Sequence, residues 1–246
     1  MRILFDIKFL GKGSTTGVFS YTKELVSWLL AHTDHQLRFF YNGFNLNPLP
    51  KAWTDNSNVS LLDWGIPNKL LHLSTRMLEW PSLDTQHDLD LIYSPNFHLL
   101  AQTKIPRVIT VHDLSFLNYP KFFSVKDRLW HWWEQIPQQL RQATHLTTVS
   151  QYTKADLISR LGIPAEKISV IYPGISEEFR PLPPADPALN AVHKKYSLEQ
   201  PFILYLGTVE PRKNVSLLIK AFALLKQKPQ FSQYQLVIAG KHGYQS

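Results

Sequence analysis

The chain has 246 residues, of which 44% are hydrophobic and 18% charged, a length and composition that suit one soluble domain and part of a second. Its formal net charge is +7, but the lysine and arginine residues form no basic run of the kind that binds nucleic acid, so we expect no nucleic-acid partner. The absence of cysteine excludes disulfide bonds and thiolate metal sites and is compatible with the cytoplasm.

The sequence carries no signal for membrane insertion. Its first residues, MRILFDIKFLGKG, have an apolar core too short for a signal peptide. No apolar run approaches the ~18 residues that a membrane-spanning helix needs. We therefore expect a cytoplasmic protein that can also lie at the inner face of the membrane.

Residues 1–180 alternate between short apolar runs and amphipathic segments. Apolar runs that end in polar or turn residues are typical of buried parallel strands. The predicted strands are 3–7, 37–41, 59–62, 89–94, 108–112, 146–150 and 169–172. The predicted helices between them are 18–30, 69–79, 124–143 and 151–161. This order predicts an α/β fold with a doubly wound, Rossmann-like parallel sheet.

A proline-rich segment separates this region from the rest of the chain. Residues 180–189, RPLPPADPAL, contain four of the 17 prolines, a density that the interior of a helix or strand does not tolerate. We therefore predict a first domain over 1–180, a linker over 181–197 and a second domain over 198–246.

The second domain is predicted to contain strand 202–206, helix 214–227 and strand 235–239. Two parallel strands and one helix cannot cover both faces of a sheet. We therefore expect an incomplete domain whose apolar strand residues are exposed unless a partner covers them. These residues are Ile203, Tyr205, Val237 and Ile238.

The segment YLGTVEPRKNVSLLIKAF at 205–222 has the clearest chemistry. An apolar strand ends at Gly207, and a charged turn leads to a helix with Asn214 as its predicted N-cap. Arg212 and Lys213 then lie just before a helix N-terminus, where free backbone N–H groups favour anions. The pattern predicts a phosphate site.

This segment resembles the start of the donor domain of family-4 (group 1) glycosyltransferases, retaining enzymes of the GT-B fold, in which a glycine-ended strand precedes a turn containing E-x-R-K-N. Four further stretches resemble the same family in the same order. They are IKFLGKGSTTGVFSYTKELVSWL at 7–29, VHDLSFLNYPKFF at 111–123, LTTVSQYTKADLISRLGIPAEKISVIYPGISEEFRPL at 146–182 and LVIAGKHGY at 236–244.

The resemblance implies a GT-B protein with an acceptor-side domain first and a nucleotide-sugar donor domain second. It implies transfer of a sugar, with mannose as one candidate, from a nucleotide diphosphate donor to a glycan or lipid-linked acceptor with retention. Such reactions belong to polysaccharide or glycolipid biosynthesis. Because no Asp-x-Asp stands at the carboxyl end of a predicted strand, we expect no metal and no cofactor besides the donor.

The glycine-rich turn after the first strand contains Gly11, Gly13 and Gly17. Its spacing misses the dinucleotide fingerprint by one residue, which argues against a nicotinamide cofactor. The glycines either serve tight geometry only or, as the resemblance implies, form a loop that approaches the donor phosphate or the acceptor. Gly17 matches the family best because it opens the helix.

His112 ends an apolar strand and precedes Asp113, so it is predicted at the carboxyl end of a strand, where open α/β sheets bind ligands. The resemblance implies that His112 contacts the transferred sugar or the acceptor hydroxyl. Asp113 then either orients His112 or bonds to the local backbone. The alternative is a buried histidine with a structural role only.

Two further candidates belong to the first domain. Ser150 is predicted to be the N-cap of the helix at 151–161, and the resemblance places it at the cleft. Gly174 lies in a turn with Tyr172 and Pro173 that either reverses the chain or contacts the ligand. The family usually has an asparagine near this turn, and this sequence has none there.

In the turn of the second domain, Thr208 follows Gly207, where many relatives have an arginine. Lys213 matches the family's lysine, and Arg212 is expected to substitute for the missing guanidinium. Glu210 is expected to order this pair through a salt bridge.

The family's E-x7-E stretch, which holds the sugar and the nucleotide ribose, has no counterpart in this sequence. We therefore expect the chain to be inactive alone, with a complementing donor-domain chain as one way to complete it. Two other classes stay open: a non-catalytic module that binds the acceptor, and another Rossmann-like nucleotide-sugar enzyme such as an epimerase or dehydrogenase.

The predicted helix at 124–143 contains Trp130, Trp132 and Trp133. Clustered tryptophans near lysine and arginine are typical of helices that lie at a membrane interface, and lipid-linked acceptors are common in the family. Alternatively, this helix packs its aromatic side chains on the sheet.

Overall fold

Apart from the side chain of Lys12, a computed structural model of the protein describes residues 1–12, 17–44, 46–85, 88–176 and 178–243. The chain divides into two compact units. The first comprises Met1–Pro120 and Val125–Ser176, and the second comprises the described parts of Lys121–Ser124 and Glu177–Ser246.

The first unit is built on a seven-stranded parallel sheet. Its strands are β1 Arg2–Asp6, β2 Gln36–Phe40, β3 Val59–Leu62, β4 Leu91–Ser94, β5 Arg107–Val111, β6 His145–Thr148 and β7 Ile168–Val170. They lie in the order β3-β2-β1-β4-β5-β6-β7 with every neighbouring pair parallel. The predicted parallel α/β sheet is confirmed. The strand order reverses at β1 and β4, and ligands of such sheets bind beyond the carboxyl ends of the strands at this point.

Seven helices of the first unit lie among these strands in the described residues. They are α1 Gly17–His32, α2 Lys51–Thr54, α3 Asn68–Leu78, α4 Ser115–Asn118, α5 Val125–Trp133, α6 Ile136–Gln142 and α7 Gln151–Leu161. Successive side chains of a strand point to opposite faces. In β1, Phe5 packs in a cluster with Val26 of α1, whereas Leu4 packs in another with Leu71 of α3. The sheet is therefore buried on both faces.

The ends of α7 follow local capping rules. The Ser150 side chain accepts a hydrogen bond from the Thr153 N–H at 3.1 Å, so its predicted role as N-cap is confirmed. At the other end, Gly162 lies in the left-handed region with φ 64°, which glycine adopts without steric cost.

The single helix predicted over 124–143 is wrong in one respect, because the structure has two helices there. Gln135, between α5 and α6, lies in the left-handed region with φ 49°, and Pro137 stands in the first turn of α6. A proline in the first turn cannot donate to the preceding helical turn, so α6 begins anew. No residue of α5 is fully buried, but His131 and Trp133 are half-buried and His131 stacks on Phe116, so the helix packs part of its aromatic surface against the first unit and exposes the rest.

The second unit contains a two-stranded parallel sheet, β8 Phe202–Leu206 with β9 Gln235–Ala239, and helix α9 Val215–Leu225. Helix α8, Pro187–Tyr196, lies within the range assigned to the linker. It begins there because the Asp186 side chain accepts a hydrogen bond from Ala188 N–H at 2.8 Å and Pro187 suits a first helical position.

The strand side chains of the second unit are partly exposed. Ile203 and Ile238 are exposed, as predicted, whereas Tyr205 and Val237 are half-buried, so the expected exposure of those two is wrong. Leu206, which the sequence analysis did not single out, is 78% exposed.

Candidate active site

His112 lies directly after β5, at the carboxyl edge of the sheet. Its Nε2 donates a hydrogen bond to the Pro95 carbonyl at 2.9 Å, since a carbonyl can only accept. The Tyr21 ring of α1 meets the imidazole edge-on, with ring centroids 5.1 Å apart. Burial lowers the pKa of His112, and the Pro95 carbonyl and Asp113 offset only part of this effect. The imidazole is therefore neutral at pH 7, and its Nδ1 carries a lone pair that can accept a hydrogen bond.

Asp113 bonds to the local backbone, the second of its two predicted roles. Its Oδ1 accepts hydrogen bonds from the Ser115 N–H at 2.8 Å and from the Ser115 hydroxyl at 2.6 Å. These bonds hold the start of α4. Asp113 therefore fixes the turn that follows His112, and its negative charge raises the pKa of His112 slightly.

Ser150 is connected to His112 through Thr153. The Thr153 hydroxyl lies 3.0 Å from the Ser150 hydroxyl and donates to the His112 carbonyl at 3.3 Å. The N-terminus of α7 is thus tied to the backbone of His112. Sequence reasoning missed Thr153, although its place at the third helical position after a serine N-cap is a recognisable signal.

A row of hydroxyl groups supports Tyr21. Its hydroxyl lies 3.1 Å from that of Tyr93 in β4, which lies 2.5 Å from Thr110 in β5, and Thr110 in turn lies 2.8 Å from Thr147 in β6. Burial raises the pKa of Tyr93 far above its ordinary value, so the phenol stays protonated. No local sequence pattern indicates this row, because its members come from four elements.

A buried charged cluster, also missed, lies beside the sheet. Lys8, 5% exposed, pairs with Asp6 at 3.5 Å between Nζ and Oδ2, and Glu134 is fully buried. Arg107 donates to the Ser94 hydroxyl, the Gln139 side-chain oxygen and the His98 carbonyl at 2.8–3.0 Å. Burial raises the pKa of Glu134 to about 7 and lowers that of Lys8. Groups of this kind are far apart in sequence, so no local pattern predicts them.

Glu134 also meets two histidines. Potential metal-ligand atoms of His72, His98 and Glu134 lie within 4.8 Å of one another. The sequence analysis expected no metal, and neither histidine lies in a motif that suggests one.

Two of the glycines predicted for this site, Gly17 and Gly174, lie in open surroundings. Gly17 is the first residue of α1, one helical turn before Tyr21. Gly174 follows β7, and a Cβ placed on either glycine would meet nothing within 4 Å. Gly13 lies outside the described residues.

In the second unit, Arg212 and Lys213 belong to a 3-10 turn, Pro211–Lys213. Arg212 forms a salt bridge with Glu210 at 2.7 Å, so the predicted ordering by Glu210 is confirmed for Arg212. Asn214 precedes α9 in the left-handed region with φ 49°, but its side chain makes no capping bond. The predicted side-chain cap is therefore wrong, because the left-handed backbone turns the chain into α9 instead.

Gly207 and Thr208 form the end of β8. The Gly207 N–H donates to the Ala239 carbonyl at 2.9 Å, and the Thr208 carbonyl accepts from the Tyr205 hydroxyl at 3.2 Å. Gly240 comes so close to the Gly207 carbonyl that it has no room for a Cβ. The two strand ends therefore form one tight turn region, with Arg212 and Lys213 following it.

Comparison with known proteins gives a consistent result. Residues 15–179 match the model of Glycosyltransferase Family 4, and residues 190–246 match Glycosyl transferases group 1. O-antigen chain mannosyltransferase B from Escherichia coli is 29% identical over 258 residues, which cover 100% of this chain and 65% of that protein. The chain therefore spans less than two thirds of that curated relative.

Two solved structures share the fold. Sucrose-phosphate synthase from Thermosynechococcus elongatus has a TM-score of 0.66 at 17% identity, covering 100% of this chain and 64% of that one. Anabaena Alr3699/HepE in complex with UDP-glucose has a TM-score of 0.58 at 21% identity, covering 100% of this chain and 62% of that one. These likenesses confirm the predicted fold class.

Proposed function

Because the chain belongs to Glycosyltransferase Family 4, we propose that it takes part in transferring a sugar from a nucleotide diphosphate donor to a glycan or lipid-linked acceptor. The family resemblance read from the sequence is thereby confirmed. Polysaccharide or lipopolysaccharide biosynthesis is the setting that the relatives' names support, and the E. coli relative is named as a mannosyltransferase of the O-antigen chain. Mannose is therefore the first sugar to test.

The observation that carries this proposal is the arrangement around His112. A neutral imidazole lies at the carboxyl end of a parallel strand, beside the point where the strand order reverses, with one ring nitrogen committed to the Pro95 carbonyl. The other nitrogen can accept a hydrogen bond from a sugar hydroxyl. We assign His112 this contact with the transferred sugar or the acceptor.

Arg212 and Lys213 are the proposed site for the donor diphosphate. As the glycosidic bond breaks, negative charge grows on the leaving diphosphate, and fixed cations stabilise that charge more in the transition state than in the ground state. Each charge-assisted contact contributes about 1.5–3 kcal/mol. With the protein supplying these charges, transfer needs neither a divalent metal nor a cofactor. We propose retention at the anomeric carbon.

We propose a peripheral membrane location, and helices α3 and α5 support it. No helix among the described residues is long and apolar enough to cross a bilayer. In α5, Leu129 is 60% and Trp132 63% exposed, and in α3 Met77 is 69% exposed. Arg76 links the two helices, because its guanidinium donates to the Trp133 carbonyl at 3.3 Å.

The charge of this surface suits an anionic lipid. Helix α5 has two basic residues, Lys126 and Arg128, and one acidic residue, Asp127. Both basic residues are exposed. Amphipathic helices with this composition bind at the interface by burying apolar side chains among lipids and attracting anionic headgroups. This location would bring a lipid-linked acceptor to the protein.

The experiment is a transfer assay on the chain completed with a donor domain that carries the missing E-x7-E. Purified protein is incubated with labelled GDP-mannose and a lipid-linked oligosaccharide, and product is separated by chromatography. We expect a mannosylated product whose anomeric configuration matches the donor. Absence of product with GDP-mannose and with other sugar nucleotides would leave an acceptor-binding module as the better description, and binding of NAD would indicate the epimerase or dehydrogenase class.

A further inference from the structure

Three segments of the first unit bring nitrogen and oxygen ligands to one point. His72 comes from α3, His98 from the loop after β4, and Glu134 from the turn between α5 and α6. Their ligand atoms all lie within 4.8 Å of one another. We propose that His72, His98 and Glu134 bind a zinc ion that has a structural role and stands outside the transfer chemistry.

The geometry at Glu134 is that of a metal ligand. Its Oε1 lies 3.2 Å from His72 Nδ1, yet it accepts no hydrogen bond from any residue that the structure describes. Ligand atoms on a tetrahedral zinc ion with bonds of about 2.0–2.1 Å lie roughly 3.3 Å apart. The Oε1–Nδ1 separation therefore suits two ligands of one ion. The carboxylate is fully buried, so an ion bound there would lie away from bulk water.

Hydrogen bonds hold the second carboxylate oxygen of Glu134 and the backbone carbonyls of Glu134 and His98 in place. Glu134 Oε2 accepts the Leu99 N–H at 2.5 Å, and the Glu134 carbonyl accepts the Gln139 side-chain N–H at 2.6 Å. Arg107 donates to the His98 carbonyl at 2.9 Å and to Gln139 at 2.8 Å. Hydrogen bonds of this kind orient metal ligands and are a regular part of metal sites.

The ligand set selects the metal. Two imidazoles and one carboxylate favour zinc over magnesium or calcium, which prefer all-oxygen sites. Three protein ligands leave a fourth position for water, and the partly exposed His72 side chain, at 20%, offers a route of entry. Lys8 and Arg107 lie near and oppose a cation, so we expect an affinity nearer micromolar than nanomolar.

The ion would fasten the loop that carries His98. The His98 ring stacks on Phe9, with centroids 5.9 Å apart, in the 3-10 turn Lys8–Lys12 that follows β1. Zinc would therefore connect α3 and the α5–α6 turn to the segment that leads into the glycine-rich turn. Its removal should lower stability rather than abolish donor binding.

The test uses the purified 246-residue chain, freed of metal with a chelator and titrated calorimetrically with Zn²⁺. We expect one Zn²⁺ per chain, a higher melting temperature, and no comparable response to Mg²⁺. His98→Ala and Glu134→Gln should each weaken zinc binding at least tenfold. His131→Ala is the matched control, because this half-buried histidine of α5 lies outside the ligand set and its loss should leave the affinity unchanged.

A second measurement does not depend on the variants folding. Co²⁺ added to the metal-free wild-type protein should give the intense visible absorption of a four-coordinate ion, and Zn²⁺ should abolish it. Failure of the wild-type chain to bind Zn²⁺, or the weak spectrum of six-coordinate Co²⁺, would overturn the proposal. Undiminished zinc binding in both His98→Ala and Glu134→Gln would equally overturn it.

Discussion

The ring of His112 is held by one hydrogen bond and one aromatic contact, so its removal should disturb the fold little. In the completed enzyme we expect His112→Ala to lower turnover about five- to tenfold, since a hydrogen bond made in the transition state contributes about 1–1.5 kcal/mol. The measurement compares turnover with melting temperature. The control is His145→Ala, which removes a half-buried histidine of β6 bonded to Ser169. A melting temperature that falls in step with activity would return His112 to a structural role.

Arg212 and Lys213 allow a second test at the residue scale. We expect Arg212→Ala with Lys213→Ala to weaken nucleoside diphosphate binding at least tenfold in the completed chain, because two charge-assisted contacts are lost. Calorimetric titration with GDP and UDP measures the change. Lys220→Ala, an exposed lysine on α9, is the control. Equal affinity in the double variant and the control would remove the phosphate assignment.

At the scale of elements, α5 has two large apolar side chains, Leu129 and Trp132, that are 60% and 63% exposed. We expect wild-type protein to float with anionic phosphatidylglycerol vesicles, and Leu129→Ser with Trp132→Ser to reduce this binding tenfold or more, since each buried apolar side chain contributes about 1.5–3 kcal/mol. Tyr152→Ser is the control, because it removes an aromatic residue on α7 that is also exposed, at 67%.

Two outcomes would speak against this surface. One is the absence of wild-type binding to anionic vesicles at low salt, where the attraction of Lys126 and Arg128 is strongest. The other is equal flotation of the Leu129/Trp132 double variant and the Tyr152 variant, which would place the contact elsewhere.

The ends of β8 and β9 give a further prediction. Gly240 packs against the Gly207 carbonyl and leaves no room for a Cβ, so Gly240→Ala should destabilise the second unit by about 1–3 kcal/mol. Chemical denaturation of the whole chain measures this loss. Gly174→Ala is the control, since a Cβ there meets nothing within 4 Å. Unfolding of both variants at the same denaturant concentration would show that a Cβ at Gly240 is accommodated without loss of stability.

At the scale of the whole molecule, we expect purified 1–246 to transfer no sugar by itself. The reason is chemical, because the sequence contains no E-x7-E to hold the sugar and the ribose. The measurement is transfer from a labelled nucleotide sugar, compared with buffer and with the completed chain. Transfer by 1–246 alone, above buffer, would mean that other residues or a second copy supply these contacts.

Local signals were enough to predict much of this protein. Apolar runs ending in polar residues predicted the strands, and serine before an amphipathic run predicted the cap at Ser150, because burial and capping depend on neighbouring residues. The same signals placed His112 at the end of β5. The family motifs then predicted the GT-B fold and the transferase class.

Tertiary structure decided what depends on residues far apart in sequence. The partial exposure of α5 follows from how this helix meets the rest of the first unit. Only the fold brings Tyr21 to His112, and His72 and His98 to Glu134. The sequence by itself determined the strands, the family and the position of His112 at the end of β5. The contacts of Tyr21 with His112, and of His72 and His98 with Glu134, were decided by the tertiary structure. The physical reason is that each contact joins elements far apart in sequence, which no local pattern connects.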